Sequence, residues 1–283
     1  MKRIAIQGYQ GAFHQEAAEN YFGKGISLAE CETFELLVES VKNGQANSGI
    51  MAVENSLVGC ILPNFVLLRE SGLNVIGEVY LRISQNLMAL PNQSILDLDK
   101  VESHAMAIAQ CKPFFKSYPN IQLVESLDTA LSAKQIAENN LAGVGTIGSS
   151  LAASLYGLEV LAPSIETNKV NFTRFLVISP VDNPITNNGA IKATIAFTAK
   201  HTPGGLAALL SPLANEGVNL TMLHSLPMVG SAWEYIFHAD LCYRSIEHAR
   251  KSMIWLSKQV SQLWVMGVYP AQSQHSNHNI TLN

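Results

Sequence analysis

The chain has 283 residues, which is long enough for two or three domains that each bury a core of their own. Hydrophobic residues make up 48% of the sequence and charged residues 14%, a composition that excludes intrinsic disorder. The formal net charge is −4 and no basic cluster occurs, so we expect no nucleic-acid partner, because neutralising phosphates requires clustered Lys and Arg. No apolar run reaches the roughly 20 residues of a membrane span, and the N-terminus lacks a signal-peptide pattern. These features predict a cytosolic (cytoplasmic) protein without a membrane partner.

Four scattered cysteines and eight histidines give no metal-binding pattern. Neither Cys-x-x-Cys nor His-x-x-x-His occurs, so we expect no metal, and we expect four free thiols that are buried. The turn Gly8-Tyr9-Gln10-Gly11 follows a first strand and precedes a helix, as in dinucleotide-binding folds. However, the third glycine and the acidic strand end of that fingerprint are missing, so we predict no nucleotide cofactor.

The first 180 residues alternate between strand-like and helix-like segments, which predicts an α/β fold with largely parallel sheets. Strands are predicted at residues 2–7, 48–53, 75–83, 121–124, 142–147 and 172–178. Helices are predicted at residues 13–22, 33–42, 105–115 and 128–138. In such sheets, ligands bind beyond the carboxyl ends of strands. Glu54-Asn55-Ser56 directly follows one of these strands and is therefore a candidate site.

A turn-rich segment at residues 180–189 is the clearest domain boundary, because it combines two prolines with an Asn-Asn-Gly run. Beyond it, strands are predicted at residues 191–198, 218–226, 233–241 and 263–269, and helices at 203–215 and 245–257. The order strand, helix, strand, strand, helix, strand is ferredoxin-like. Pro203 is expected in the first helical turn, where its missing N–H costs nothing. Residues 271–283 form a polar tail that is expected to be frayed.

Three motifs, in chain order, resemble those of prephenate dehydratase. They are Ala52-Val53-Glu54-Asn55-Ser56 with Gly59, then Ser103-His104-Ala105 leading to Ala109-Gln110-Cys111, then Asn171-Phe172-Thr173-Arg174-Phe175. Residues 8–17, Gly148-Ser149 and Tyr156-Gly157-Leu158 also match the family. Pro203-Gly204-Gly205-Leu206 and Val218-Asn219-Leu220-Thr221 are similar to pieces of an ACT domain. The resemblance covers about residues 3–270.

The resemblance implies a carbon–oxygen lyase that converts prephenate to phenylpyruvate in phenylalanine biosynthesis, with feedback by phenylalanine. It implies a two-lobed catalytic region over residues 1–180, like periplasmic binding proteins, and an ACT domain at residues 190–270. Lobe 1 is expected at about residues 1–76 and 165–180 and lobe 2 at about 77–164, with chain crossings near Gly77 and Ile165. A homodimer or homotetramer is implied, because ACT ligand sites are commonly built between two such domains.

The reaction makes the ring aromatic, which supplies its driving force, so we expect no cofactor. No segment that resembles chorismate mutase precedes the motifs, so we expect a separate enzyme to supply prephenate. Two alternatives remain open. One is an arogenate dehydratase, which performs the same chemistry on an aminated substrate. The other is a non-catalytic two-lobed amino-acid sensor with an ACT module.

The family's Thr-Arg-Phe motif places Thr173 next to the leaving hydroxyl, where it would act as a hydrogen-bond donor, since threonine is a poor acid. The planar guanidinium of Arg174 suits bidentate capture of a carboxylate, and a salt bridge is the alternative. The other catalytic residues that the resemblance implies are Glu54, Asn55, Ser103, Gln110 and Glu125. The other implied substrate-binding residues are Phe175, Ser56, Asn171, Gly11 and Ser149. The second carboxylate is expected at a helix start, before Phe13 or at Ser149.

Ser103 also has a purely structural interpretation, as the N-cap of a helix that begins at Ala105. Effector binding is implied for residues in two segments of the ACT-like unit: Gly204, Gly205, Leu206, Asn219, Leu220, His224 and Ser225. In the second segment, His224-Ser225-Leu226-Pro227 stands where the family usually has Glu-Ser-Arg-Pro. Both charged residues of that family segment are therefore absent.

Overall fold

A computed structural model describes residues 2–182, 189–228, 230 and 234–272. Most of the predicted linker, from residue 183 to 188, and the tail from residue 273 lie outside the described residues. So does Trp233, where a strand was predicted to begin. Within the described residues, no helix is both long and apolar enough to cross a membrane.

Three sheets and their helices make up the described chain. The strands are β1 (Arg3–Gln7), β2 (Ser27–Cys31), β3 (Ser48–Asn55), β4 (Gly59–Cys60), β5 (Asn74–Arg82), β6 (Asn86–Ala89), β7 (Lys100–His104), β8 (Gln122–Ser126), β9 (Val144–Gly148), β10 (Glu159–Ala162), β11 (Phe172–Ser179), β12 (Ile191–Thr198), β13 (Asn219–Pro227), β14 (Tyr235–Tyr243) and β15 (Leu263–Pro270). The α-helices are α1 (Phe13–Phe22), α2 (Phe34–Lys42), α3 (Leu62–Ser71), α4 (Ala105–Cys111), α5 (Thr129–Glu138), α6 (Ser150–Tyr156), α7 (Gly205–Asn215) and α8 (Ile246–Ser257). Short 3₁₀ turns lie at Ile95–Asp97 and Phe114–Ser117.

The chain divides into two compact units. One consists of Met1–Ile61 and Val79–Phe175, and the other of Leu62–Glu78 and Leu176–Asn283. Strands β5 and β11 each run from one unit into the other. In this division α3 and the start of β5 group with the C-terminal region.

The first sheet has the strand order β2-β1-β3-β11-β5, and the short β4 pairs with the end of β3. β1 runs parallel to both β2 and β3. Ile4, Ile6 and Ile50 are completely buried, and α1 and α2 pack against these strands. Parallel strands that are covered on both faces carry nearly continuous apolar runs, as β1 and β3 do. β3 therefore carries Glu54 and Asn55 to its carboxyl end.

The second sheet has the order β10-β6-β9-β7-β8. β7 runs parallel to β8 and β9, whereas β6 runs antiparallel to β9 and β10. The sheet is thus mixed, and its parallel part agrees with the prediction. Asp128 caps α5, because its Oδ1 accepts from the N–H groups of Ala130 at 2.8 Å and Leu131 at 2.9 Å.

Two passages, residues 83–85 and residues 163–171, connect the two sheets of the first unit. The first passage was predicted near Gly77, but Gly77 lies inside β5, which continues to Arg82. Ile165, near which the second crossing was predicted, lies between β10 and β11.

The third sheet has the antiparallel order β13-β14-β12-β15, with α7 and α8 packed against it. Ile195, Phe197 and Leu241 lie in its core. The βαββαβ order confirms the predicted ferredoxin-like domain. Helix α7 begins at Gly205, so Pro203 lies before the helix and not in its first turn, which corrects the prediction. A Cβ atom on Gly205 would lie 2.2 Å from the Lys200 carbonyl oxygen, so this helix start requires glycine.

The segment Leu62–Glu78 packs against the third sheet. The guanidinium of Arg69 lies 5.4 Å from the centroid of the Trp264 ring. Lys192 Nζ lies 2.8 Å from Glu78 Oε2, and both side chains are almost completely buried. A cation–π contact and a buried ion pair therefore hold the segment, which explains why it groups with the C-terminal region.

All four cysteines are free thiols, as predicted. Cys31 and Cys111 are buried. Cys60 and Cys242 are only partly buried, so the expectation of four buried thiols is wrong for these two. Cys60 belongs to β4, a strand of two residues that pairs with the end of β3, so little of the sheet covers its side chain.

Candidate active site

Asn55, at the end of β3, and Thr173, at the start of β11, meet through a hydrogen bond. The Asn55 Nδ2 group donates to Thr173 Oγ1 at 3.0 Å and to Asn171 Oδ1 at 2.9 Å. On the other side of the same amide, Oδ1 accepts from the backbone N–H groups of Leu57 at 2.9 Å and Val58 at 3.1 Å. Because backbone N–H groups only donate, they fix which end of the Asn55 amide faces Thr173.

A line of amides extends from Thr173 to the second sheet. Asn171 passes the hydrogen bond on, because its Nδ2 donates to Gln110 Oε1 at 3.0 Å. Gln110 lies near the end of α4, which packs on the second sheet. The structure therefore brings together four of the predicted site residues, Asn55, Asn171, Thr173 and Gln110, and they bridge the two sheets of the first unit.

The hydroxyl of Thr173 is arranged to donate. Its oxygen accepts from Asn55, so its own proton is available for another acceptor. The residue is 8% exposed, so this proton lies at a largely dehydrated position. Among the described residues, this hydroxyl hydrogen-bonds with Asn55 alone. The bond from Asn55 fixes the Thr173 oxygen and leaves its proton available. Such a donor can stabilise a bound group on which negative charge develops.

Arg174 forms an ion pair with Glu54. Its Nη1 lies 3.7 Å from Glu54 Oε2, and its guanidinium lies 6.0 Å from the centroid of the Tyr80 ring. Consecutive residues of a strand point to opposite faces, so Arg174 and Thr173 face opposite ways. Of the two interpretations of Arg174, this geometry favours the ion pair, although the arginine is 3% exposed and not on the surface.

Ser56 fastens the loop after β3 to β11. Its Oγ donates to the Val170 carbonyl at 3.0 Å and accepts from Phe172 N–H at 2.9 Å. Its own N–H donates to the Phe172 carbonyl at 2.8 Å. The Ser56 hydroxyl thus acts as both donor and acceptor within the protein. This geometry favours a role in positioning the loop over direct contact with the substrate.

Ser103 and Glu125 lie apart from this network. Ser103 is completely buried and donates from Oγ to the Ile147 carbonyl at 2.7 Å, which joins β7 to β9. Its predicted role as N-cap is wrong: His104 is the cap of α4, and its Nδ1 accepts from Met106 N–H at 3.3 Å. Ser103 is still a strand residue, because β7 runs directly into the helix. Glu125 is exposed on β8, the edge strand of the second sheet.

Gly11 and Ser149 are in direct contact. Ser149 Oγ donates to the Gly11 carbonyl at 2.5 Å and accepts from Ala152 N–H at 2.9 Å, so it caps α6. Gly11 has φ +90°, and a Cβ atom there would lie 2.9 Å from the Ala152 Cα. The turn before α1 therefore packs tightly on the start of α6, and both its backbone conformation and this close approach require glycine.

His14 is a buried titratable residue beside Phe175 that the sequence did not single out. It lies in the first turn of α1, and its ring packs edge-on against Phe175 at 5.0 Å and against Phe34 at 5.7 Å. Burial lowers its pKa to about 4, so the ring is neutral near pH 7. Its Nε2 is buried and has no hydrogen-bond partner among the described residues. Phe175, which was predicted to bind substrate, is 1% exposed, and its ring contacts that of His14.

The third sheet has a separate cavity at the start of α7. Its volume is about 390 Å³, and it is lined by Ala199, Lys200, His201, Thr202, Pro203, Leu206, Tyr235 and Phe237. Of the predicted effector residues, Leu206 lines the cavity, and Gly204 and Gly205 shape the turn beside it. The other four, Asn219, Leu220, His224 and Ser225, lie on the edge strand β13 and do not line it. The aromatic and basic lining residues were not predicted, although Tyr235 and Phe237 share one face of β14.

The fold and site define an α/β enzyme with hydroxyl and amide donors between two sheets, followed by a ferredoxin-like domain. The family model described as prephenate dehydratase matches residues 4–183. The chain belongs to the prephenate dehydratase family, and it is a carbon–oxygen lyase. The prediction of an enzyme of this class is confirmed, which argues against the non-catalytic sensor.

Relatives of known description cover nearly the whole chain. The bifunctional chorismate mutase/prephenate dehydratase of Aquifex aeolicus is 33% identical over 95% of this chain and 73% of its own length. The chloroplastic arogenate dehydratase/prephenate dehydratase 2 of Arabidopsis thaliana is 32% identical over 96% of this chain and 73% of its own length.

Two solved structures superimpose with a TM-score of 0.85. One is the prephenate dehydratase of Arthrobacter aurescens in complex with L-Phe, 26% identical, which covers 95% of this chain and 90% of that one. The other is described as a novel type of quorum quenching acylase, 31% identical, and covers 96% of this chain and 98% of that one.

Proposed function

We propose that this protein converts prephenate to phenylpyruvate in phenylalanine biosynthesis. The observation that carries the proposal is the hydroxyl of Thr173, which accepts from Asn55 and keeps its proton for an outside acceptor. Membership of the family supports the substrate, because the Aquifex aeolicus relative is described as a prephenate dehydratase.

The reaction breaks two bonds that join substituents to the ring, and the ring itself stays intact. It needs little from the protein besides hydrogen bonds. The bond to the ring carboxylate breaks, its electron pair completes the aromatic ring, and carbon dioxide leaves. The hydroxyl at the opposite end of the ring departs and takes up a proton to become water. Thr173 donates a hydrogen bond to that departing oxygen as negative charge builds on it. Threonine is too weak an acid to supply the proton outright, so solvent supplies it.

The substrate is a dianion, and the start of α1 suits one of its carboxylates. Helix N-termini present free N–H groups and a partial positive charge. The N-cap residue Ala12 has no side chain that could satisfy those groups, whereas α6 is capped by Ser149. Of the two helix starts considered, the geometry therefore favours α1. We propose that the first and second sheets, with the helices packed on them, act as the two lobes that enclose the substrate, and that the chain passes between the lobes at residues 83–85 and 163–171.

The test is a direct assay of the purified protein with prephenate, in which the absorbance of phenylpyruvate is followed. Thr173→Val removes the hydroxyl at constant shape and should lower kcat by roughly a hundredfold to a thousandfold, the usual effect of losing one such donor. Thr173→Ser is the matched control and should keep most of the rate. A Thr173→Val enzyme with wild-type kcat would contradict the role of the hydroxyl.

Arogenate is the second candidate substrate, because the Arabidopsis thaliana relative is described as both an arogenate and a prephenate dehydratase. Arogenate carries an amino group where prephenate has a keto group, so the ring chemistry is the same. The ratio of the two kcat/KM values decides between them. Acyl transfer has less support: an acylating hydroxyl needs an adjacent base, and Thr173 hydrogen-bonds to the amide of Asn55.

We also propose that phenylalanine binds at the cavity of the third sheet and inhibits the enzyme. Tyr235 and Phe237 offer an aromatic surface for its ring, Lys200 offers positive charge for its carboxylate, and His201 lies beside them. The Arthrobacter aurescens relative, solved with L-Phe, supports this effector. Tyr235→Ala should weaken phenylalanine binding in calorimetry and leave kcat without effector unchanged.

A homodimer or homotetramer in the cytosol completes the proposal. The four free thiols fit a reducing compartment. Light scattering with and without phenylalanine measures the assembly, and a strict monomer that ignores phenylalanine would reject both the oligomer and the effector.

A further inference from the structure

Glu166 is a completely buried carboxylate in the return passage between the two sheets. Its Oε2 accepts from the backbone N–H of Gln85, in the first passage, at 2.9 Å. Its Oε1 has no hydrogen bond, but it lies 3.7 Å from Arg82 Nη2 and 3.8 Å from Lys169 Nζ. A buried carboxylate is costly without cationic and N–H partners, and here both passages supply them.

The two passages run side by side around this carboxylate. Ile83 N–H donates to the Asn171 carbonyl at 2.8 Å, and Ile165 N–H donates to the Gln85 carbonyl at 2.7 Å. Lys169 also ties the return passage to itself, because its Nζ donates to the Glu166 carbonyl at 2.6 Å. Glu166 is thus the charged centre of a paired connection that holds the second sheet relative to the first.

This connection continues directly into the amides of the active site. Thr167, the residue after Glu166, donates from its N–H at 3.0 Å and from its Oγ1 at 3.1 Å to the Gln110 carbonyl. Gln85, which Glu166 holds by its N–H, donates from its side chain to Gln110 Oε1 at 3.4 Å. Both neighbours of the carboxylate therefore fix Gln110, and Gln110 in turn accepts from Asn171.

We propose that Glu166 is a positioning residue for the dehydration. Its carboxylate fixes the alignment of the two passages, and through Gln110 and Asn171 it sets the place of the Asn55 amide behind the Thr173 hydroxyl. Glu166 does not touch the substrate. The inference goes beyond the proposed function, and only its kinetic measurement rests on that function.

Glu166→Gln removes the negative charge of the side chain and keeps its shape. The new amide oxygen can still accept from Gln85, but Arg82 and Lys169 lose their shared anion. Small misplacements far from the reacting atoms can cost on the order of a hundredfold in rate. We expect kcat to fall by about ten- to a hundredfold, with KM changed by less than about threefold, because orientation is lost and binding groups are kept. Glu138→Gln, an exposed glutamate beside Lys134, is the matched control and should leave kcat unchanged.

A double-variant comparison distinguishes positioning from general destabilisation. Glu166→Gln and Gln110→Ala should not be additive in kcat, since both act through Asn171. Fully additive losses, or a Glu166→Gln enzyme with wild-type kcat, would overturn the proposal.

Hydrogen exchange tests the same idea without any catalysis. The amides of Ile83 and Ile165 should exchange at least about tenfold faster in Glu166→Gln than in the wild type, while β1 is unchanged. Unchanged exchange at both amides overturns the positioning role. If the wild type fails to act on prephenate and the exchange still increases, the proposed function is wrong and the role of Glu166 in the passages stands.

Discussion

Asn55→Asp should be more harmful to catalysis than Asn55→Ala, although it is the smaller chemical change. The new carboxylate keeps an acceptor for the N–H groups of Leu57 and Val58, which hold the wild-type Oδ1 at 2.9 and 3.1 Å. Its second oxygen, however, replaces the Nδ2 group that donates to Thr173 and Asn171 at 3.0 and 2.9 Å. The Thr173 hydroxyl would then donate its proton to this carboxylate, since two acceptors cannot face each other without a proton between them.

The size of the effect follows from which bonds are lost. In Asn55→Asp the Thr173 donor is diverted from the substrate, so kcat should fall by roughly a hundredfold to a thousandfold. In Asn55→Ala the hydroxyl keeps its proton and loses one neutral hydrogen bond, which costs about tenfold. The ordinary pKa of aspartate is about 3.9, and burial among acceptors raises such a pKa. The activity of Asn55→Asp relative to the wild type should therefore recover as the pH is lowered from 8 towards 5.

The assay is the initial rate of phenylpyruvate formation by the wild type and both variants across that pH range. Melting temperatures measured alongside exclude simple unfolding. If Asn55→Asp is as fast as Asn55→Ala near pH 8, or if its relative activity does not change with pH, the hydroxyl does not donate to the substrate.

Three further predictions concern stability. Lys192→Met removes the ammonium that lies 2.8 Å from the buried Glu78 carboxylate and should lower the free energy of unfolding by about 3 to 5 kcal/mol; calorimetry of that variant, and of a double variant that also carries Glu78→Leu, checks this, because the double variant should regain most of the loss. Gly11→Ala adds a close contact with α6 to the strain of φ +90° and should cost more than about 2 kcal/mol in urea unfolding. Gly23→Ala, at φ +86° with open space around it, should cost less, and equal losses would contradict the close contact. His238 is completely buried and its pKa is lowered to about 4, chiefly by burial, so the unfolded chain binds its proton first as the pH falls. Its contribution is present above about pH 6.5 and is lost by roughly 3 kcal/mol towards pH 4; unfolding of the wild type and His238→Leu at pH 7 and 4.5 should show a smaller pH dependence in the variant.

Many segments with a clear hydrophobic period could be located from the sequence, whereas segments without one, such as the ten-residue α3, could not. The helix predicted at residues 13–22 has the observed bounds of α1. The helix predicted at residues 105–115 ends early at Cys111, because Pro113 cannot continue the backbone hydrogen bonds, and a 3₁₀ turn follows. β6 escaped prediction because four buried residues show no alternation between two faces.

The candidate site divides in the same way, into residues with a local signal and residues without one. Asn55 and Thr173 could be found because each stands at a strand end within a motif. Nothing local distinguishes Glu166 or His14, whose surroundings come from residues far away in the chain. The orientation of Arg174 could have been deduced, since strand alternation alone places it opposite to Thr173.

The backbone bonds of the turn after β3 determine more than the orientation of Asn55. Two backbone N–H groups, which can only donate, set the direction of every hydrogen bond that follows, from Asn55 through Asn171 to Gln110. Gln110 stands at the receiving end, so an acid at position 110 preserves that polarity, whereas an acid at position 55 or 171 reverses a link. Replacing an amide by an acid of the same shape therefore has different effects at different positions along this line of amides. Homologous chains can be compared at these three positions to learn whether the same direction of donation has been kept.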